Sequence, residues 1–178
     1  VRRRGGVIAI VRNPPILSSR VVHVAAHWSL DAYRAESGRW DAWLPERLRS
    51  AVAKRRGEFV AGRLCAREAL DRAGCGEALP LEPGADRSPA WPAGFTGSIT
   101  HTAGFVAAAV AREADVRSLG IDSERVMTTR AARDVRSMVV SSAALQRRRS
   151  GEWGFLDNEA FATLLFSAKE SVYKAMNR

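Results

Sequence analysis

GFVAAAVAREADVRSLGIDSER, Gly104 to Arg125, holds the reading on which the fold turns. Gly104–Arg112 is an apolar run, Val116–Asp122 is a second, and Glu113-Ala114-Asp115 between them has turn composition, so the spacing predicts a β-hairpin. The second arm runs straight into Asp122 and Glu124. Side chains alternate along an extended segment, so these two carboxylates point the same way. Like charges that close repel each other and need something to hold them. A cation answers that need, with further ligands to come from elsewhere in the chain.

Upstream, Leu44-Pro45-Glu46 begins a helical pattern, proline being suited to a first turn. The pattern is expected to break near Gly57 and to resume through EFVAGRLCAREAL, ending before Gly74. On its wheel Phe59, Val60, Leu64 and Leu70 define an apolar arc, and Arg63 lies inside it, with Arg56 and Arg67 near the same line. An arginine in a buried arc needs a counter-charge. Glu68 and Asp71 are poorly placed to supply one, and a bound phosphate would serve equally well.

Residues 79–95, LPLEPGADRSPAWPAGF, read as loop, followed by GSIT and His101. Val1 to about Asp41 has no clear pattern beyond a turn at Asn13-Pro14-Pro15. The segment 126–158 is mixed and basic, with Arg147-Arg148-Arg149 read as a solvated loop. A helix is predicted from about Asn158 to Met176, with Phe161, Leu165, Ala168, Val172 and Ala175 as its apolar stripe. Glu170 and Lys174 fall on the far side with Lys169 at the border, and taken alone they read as an exposed ion pair worth about 0.3–0.5 kcal/mol. His23 and His27 have the spacing of a metal pair but no third ligand near them in sequence.

Composition bounds the partners. The 178 residues carry 28 Lys and Arg against 19 Asp and Glu, a formal charge of +9. That excess suits nucleic acid, a polyphosphate ligand, an acidic protein or an anionic membrane. Cys65 and Cys75 form no CxxC pair and read as reduced residues of a cytoplasmic protein. The basic, then apolar start lacks a cleavage site for a signal peptide, and no window approaches transmembrane length. The start at Val1 without Met suggests a piece of a longer gene product. No phosphate-loop or dinucleotide fingerprint is present.

Four segments in order, KRRGEFVAGRLCAREAL, WPAGFTGSITHTAGF, GIDSER and FSAKESVYKA, resemble the 4′-phosphopantetheinyl transferases, in the Sfp-like branch that includes the enterobactin-synthase transferases. The resemblance covers about Leu44 to Met176. It implies an α+β fold of two similar subdomains related by a pseudo-twofold, each a small antiparallel sheet packed on a long helix: 1–115 on the coenzyme A 3′-phosphate side, and 116–178 on the metal and catalytic side. It implies transfer of 4′-phosphopantetheine from coenzyme A to a carrier-protein serine, with release of adenosine 3′,5′-bisphosphate.

By the same resemblance Asp122, Glu124 and Glu170 hold Mg²⁺, with Mn²⁺ as the alternative. Arg55 and Arg63 grip the ribose 3′-phosphate, Ser98 and His101 fall in the SxxH segment, and Lys169 and Lys174 lie near the pyrophosphate. Glu170 and Lys174 are the catalytic pair.

Three departures stand out. Ser123 occupies a position that is usually aliphatic or Ala. Pro83 stands where a basic residue is common, with Arg87 as the candidate to compensate. Family members continue past the last helix into further strands, so C-terminal strands are expected to be missing here. The expected partner is an acidic acyl or peptidyl carrier protein, docking on Arg133–Arg149 of a monomer, with neither nucleic acid nor membrane involved. Fatty acid, polyketide, siderophore and peptide synthesis all remain open as the pathway. A Mg²⁺-dependent nuclease would need its acids and lysine at compact spacing. A nucleic-acid-binding module would interleave aromatics with its basic residues, whereas Trp28, Trp40, Trp43, Trp91 and Trp153 are scattered.

Overall fold

The computed structural model describes residues 6–11, 18–76, 81–84 and 88–177. The turn at Asn13-Pro14-Pro15 and the side chain of Arg87 lie outside the described residues. Four antiparallel strands, β1 (Ile8–Val11), β2 (Val21–Trp28), β3 (Phe95–Thr102) and β4 (Phe105–Arg112), pair in the order β1-β2-β4-β3. The chain is thus α+β.

The hairpin falls one step earlier than expected. β4 pairs with FTGSITHT before it, Ser98 opposite Ala109 and Thr102 opposite Phe105, and not with VRSLGID after it. The strand end expected at GSIT, before His101, is thus part of a longer strand, in which Thr96, Ser98 and Thr100 alternate with Gly97 and Ile99. Val116–Asp122 joins no ladder, and the chain bends at Arg117. The patternless N-terminal stretch supplies β1 and β2, the latter registered along the other edge of β4. His23 and His27 therefore sit on a strand, not a helix, four residues apart.

Short helices α1 (Leu30–Ala35), α2 (Ser37–Trp40) and α3 (Glu46–Arg49) lead into the long α4 (Ala53–Arg72). Ser29 caps α1, its hydroxyl accepting from the Ala32 amide. The expected break at Gly57 lies instead at Ser50–Val52, and the helix runs through the glycine. A Cβ there would stand about 3.1–3.2 Å from the Trp28 and Tyr33 rings, so hydrogen at this position lets α1 and β2 close on α4. Helix α4 lies across the sheet, with Val60, Ala61, Cys65, Ala69 and Leu70 buried against Val24, Ala26, Val106, Ala108 and Val110. Both cysteines are buried and unpaired.

Beyond the sheet come α5 (Thr129–Val139), α6 (Ser142–Arg149) and α7 (Asn158–Met176), with Thr128, Ser141 and Asp157 as caps. Arg147–Arg149 is thus helical rather than loop. Helix α7 has the expected bounds but not the expected face. Phe161 is buried, yet Ala168 is exposed and Val172 is 58% exposed. The side turned to the rest of the protein carries Thr163, Ser167 and Lys174, because what it meets is a stretch of backbone and an aspartate. Among the described residues after Arg112 there are helices but no strand, and no described helix is long and apolar enough to cross a membrane.

Candidate functional site

A cavity of about 350 Å³ opens between α3, α4 and β3. Helix α4 lines it with Arg55, Glu58, Phe59 and Arg63, α3 with Arg47 and β3 with Ile99 and His101. Arg63 is 7% exposed, its Nε donates to the Leu81 carbonyl at 3.2 Å, and its guanidinium lies 4.2 Å above the Phe59 ring. Burial, then repulsion from Arg47 and Arg55 with partial relief from Glu82, pushes its pKa down to about 10. It remains a cation at neutral pH. Among the described residues no carboxylate lies within ion-pair distance of it. Arg55 is more open and stands 3.9 Å from Glu58. The buried arginine was legible on the helical wheel; Arg47 was not, because the turn that swings α3 beside α4 leaves no periodic signal.

His101 sits between two charged groups. Burial lowers its pKa; Glu58 and Asp122 oppose that shift, while Arg55 and Lys174 add to it. The imidazole lines the arginine cavity and feels, through space, the charges of a second cluster around Asp122. Ser98 lies on the opposite face of β3, and its hydroxyl accepts the Ile121 amide at 3.1 Å. Two residues on, Thr100 Oγ1 accepts the Ser123 amide at 3.0 Å and donates to Asp122 Oδ1 at 3.3 Å. The 116–128 segment is thus held along β3 by hydroxyls.

Its other side presses on α7. Gly120 has no side chain to spare: a Cβ there would run into the Ser171 carbonyl and stand 2.8 Å from the Ala175 amide nitrogen. Ser118 donates to the Ala175 carbonyl, and the Met127 amide donates to Thr163. Lys174 Nζ reaches Asp122 Oδ1 at 2.6 Å and the Ile121 carbonyl at 3.2 Å, and Ser167 donates to Asp122 Oδ2 at 2.9 Å. Burial pushes the Asp122 carboxyl up, but the bonds from Lys174, Ser167 and Thr100 outweigh it and hold the pKa below the ordinary value. Glu124 shifts the other way, raised by burial and by the Asp122 and Glu170 carboxylates against some relief from Lys174. Lys169 turns elsewhere and donates to the Met138 carbonyl at the end of α5.

Three carboxylates acting on one another, in a cluster that raises Glu124, are oxygen donors of the kind a hard divalent cation takes, so the donor set fits one by chemistry. As arranged they do not close on a point: among the described residues no three His, Cys, Asp or Glu side chains are grouped to hold an ion, and Lys174 occupies Asp122.

A cavity lined by three arginines, one of them buried, has the charge and the donors that a polyanionic ligand needs. Residues 44–111, which run from α3 through β4, match the 4′-phosphopantetheinyl transferase N-terminal domain. The chain belongs to the 4′-phosphopantetheinyl transferase family. It is similar to the 4′-phosphopantetheinyl transferase Svp of Streptomyces mobaraensis, 45% identical over 132 residues that cover 70% of this chain and 49% of the relative. Enterobactin synthase component D of Salmonella typhi is 39% identical over 137 residues, covering 76% and 55%. The 4′-phosphopantetheinyl transferase PptT of Mycobacterium tuberculosis is 39% identical over 138 residues, covering 74% and 57%. The chain spans about half the length of the curated relatives it matches.

Proposed function

We propose that the protein transfers the 4′-phosphopantetheine group of coenzyme A to a serine of an acyl or peptidyl carrier protein. The observation that carries this reading is the cationic cavity of Arg47, Arg55 and Arg63, lined by His101 on β3, the strand whose Thr100 holds Asp122 of the Asp122–Lys174 cluster. Such a cavity suits the ribose 3′-phosphate at one end and leaves the pyrophosphate beside the carboxylates and lysine. The relatives named phosphopantetheinyl transferases support the same assignment.

Asp122, Glu124 and Glu170 are the residues that would hold Mg²⁺, or Mn²⁺ in its place. The ion would supply Lewis-acid polarisation of the pyrophosphate oxygens. Around it, the carrier serine Oγ forms a bond to the β-phosphorus, and the bond from that phosphorus to the bridging pyrophosphate oxygen breaks. Adenosine 3′,5′-bisphosphate leaves with the electron pair. Glu170 takes the serine proton, Lys174 offsets charge on the departing phosphate, and Lys169 lies further out along the same helix. Ser98 serves by fixing the Ile121 backbone that carries Asp122. The two-subdomain, pseudo-twofold division into 1–115 and 116–178 belongs to this reading, as do an acidic carrier, a monomer and a cytoplasmic setting. The buried free thiols support that setting.

The test is the intact mass of an apo carrier protein incubated with the chain, coenzyme A and Mg²⁺. One phosphopantetheine should be gained, and chelator or Asp122→Ala should remove the gain. Glu170→Gln should abolish turnover while coenzyme A still binds. No gain and no coenzyme A binding would overturn the proposal.

A further inference from the structure

The arginine cavity contains one acid. Glu58 lines it together with Arg47, Arg55, Arg63 and His101, and its side chain is only 12% exposed. Its neighbouring cations hold it loosely, Lys54 Nζ at 3.8 Å and Arg55 Nη1 at 3.9 Å. Among the described residues none donates a hydrogen bond to it. Its oxygens are not sealed off from the cavity, so a molecule bound there can reach them. An ionised carboxylate only accepts, so the ligand group that suits it is an N–H or O–H.

A bare phosphate in this cavity would satisfy the arginines and be repelled by Glu58. A phosphate with a hydroxyl on the neighbouring carbon satisfies both: the phosphate oxygens face Arg55 and Arg63, and the hydroxyl faces the acid. We infer that Glu58 accepts a hydrogen bond from a hydroxyl vicinal to the bound phosphate. On the reading proposed above, on which this rests, that hydroxyl is the ribose 2′-OH beside the 3′-phosphate of coenzyme A. Glu58 is then a specificity-determining residue that makes the cavity prefer ribonucleotide 3′-phosphates to 2′-deoxy analogues.

The experiment is calorimetric titration of the full chain with coenzyme A, adenosine 3′-monophosphate and 2′-deoxyadenosine 3′-monophosphate, repeated on Glu58→Gln and Glu58→Ala. Gln keeps the shape of the side chain and Ala is a strong helix former, so α4 should persist in both. A hydrogen bond to a charged group predicts that the wild type binds the ribonucleotide about tenfold or more tightly than the deoxynucleotide. Glu58→Ala should bring the two within about twofold, by weakening the ribonucleotide and leaving the deoxynucleotide equal or tighter. Equal affinities in the wild type, or a preference that survives Glu58→Ala, would overturn the inference while coenzyme A binding leaves the transferase reading standing. Failure of coenzyme A and both nucleotides to bind the wild type would overturn that reading and the inference with it.

Discussion

Arg63 is a charge that the fold would be better without. It is buried, has one backbone acceptor and an aromatic ring for company, and draws on no carboxylate among the described residues. Exchanging a buried ion for an apolar side chain of similar length often stabilises a protein. Arg63→Met should therefore raise stability by about 1–2 kcal/mol in chemical denaturation. The same variant should lose coenzyme A binding in calorimetry. Gain in one measurement and loss in the other would separate a residue kept for its ligand from one kept for packing.

A second residue sets a pH response. His23 lies half-buried on β2, and burial lowers its pKa below the ordinary 6.5. Between the two values the unfolded chain binds more protons than the folded one, so stability rises with pH across that window and falls on acidification below about 6.5. His101 acts in the same direction. Asp122 adds stability that is present above its ordinary value and lost only as pH falls through its lowered one. Melting temperatures between about pH 5 and 7 should drop towards the acid end. His23→Gln should flatten part of that slope, and an unchanged slope would exclude His23 as a contributor.

At the scale of elements, α6 divides its arginines between two jobs. Arg147 forms a two-pronged pair with Glu152 at 2.7 Å and 2.7 Å. Arg148 donates to Asn158 and to the Leu156 carbonyl at 2.8 Å each, and lies over Phe161. Both brace the connection into α7, so neutralising the whole triplet would test folding as much as docking. Arg148→Ala should cost about 1–3 kcal/mol. Exposed Arg149→Glu should leave stability within about 0.5 kcal/mol. If this face meets an acidic carrier, Arg149→Glu should also raise the carrier KM without changing coenzyme A affinity. Steady-state kinetics beside thermal melts separates the two effects.

The same scale shows what could be read in advance. Helix α7 was legible to its bounds because nineteen residues keep one period between a capping Asp157 and Asn177. Its inward face was not, because Thr163, Ser167 and Lys174 face in only once Asp122 and the 116–128 backbone are there to meet them. The acidic pair was visible as a like-charge problem within two residues. Strand β3 was legible only as a strand end at GSIT, and its pairing with β4 was not, because it buries Thr96, Ser98 and Thr100, and polar burial makes sense only with partners distant in sequence. Strand β2 was missed because VVHVAAHW neither alternates cleanly nor repeats at helical spacing.

Across the whole molecule, the two halves of the site rest on unequal foundations. Arg55, Glu58 and Arg63 ride on the helix that forms the core, whereas Asp122 and Glu124 ride on a segment with no strand ladder. A ladder opens cooperatively; a segment tied through separate side-chain bonds opens contact by contact. Amide hydrogen exchange should register this as slow solvent exchange throughout β4 and the middle of α4. In 116–128 it should appear as isolated protection at Val116, whose amide meets the Arg112 carbonyl, and at Ile121, Ser123 and Met127, whose amides meet Ser98, Thr100 and Thr163. The carboxylates could then lift away and reseat without unzipping the sheet, like a strip fastened by studs rather than sewn along its length.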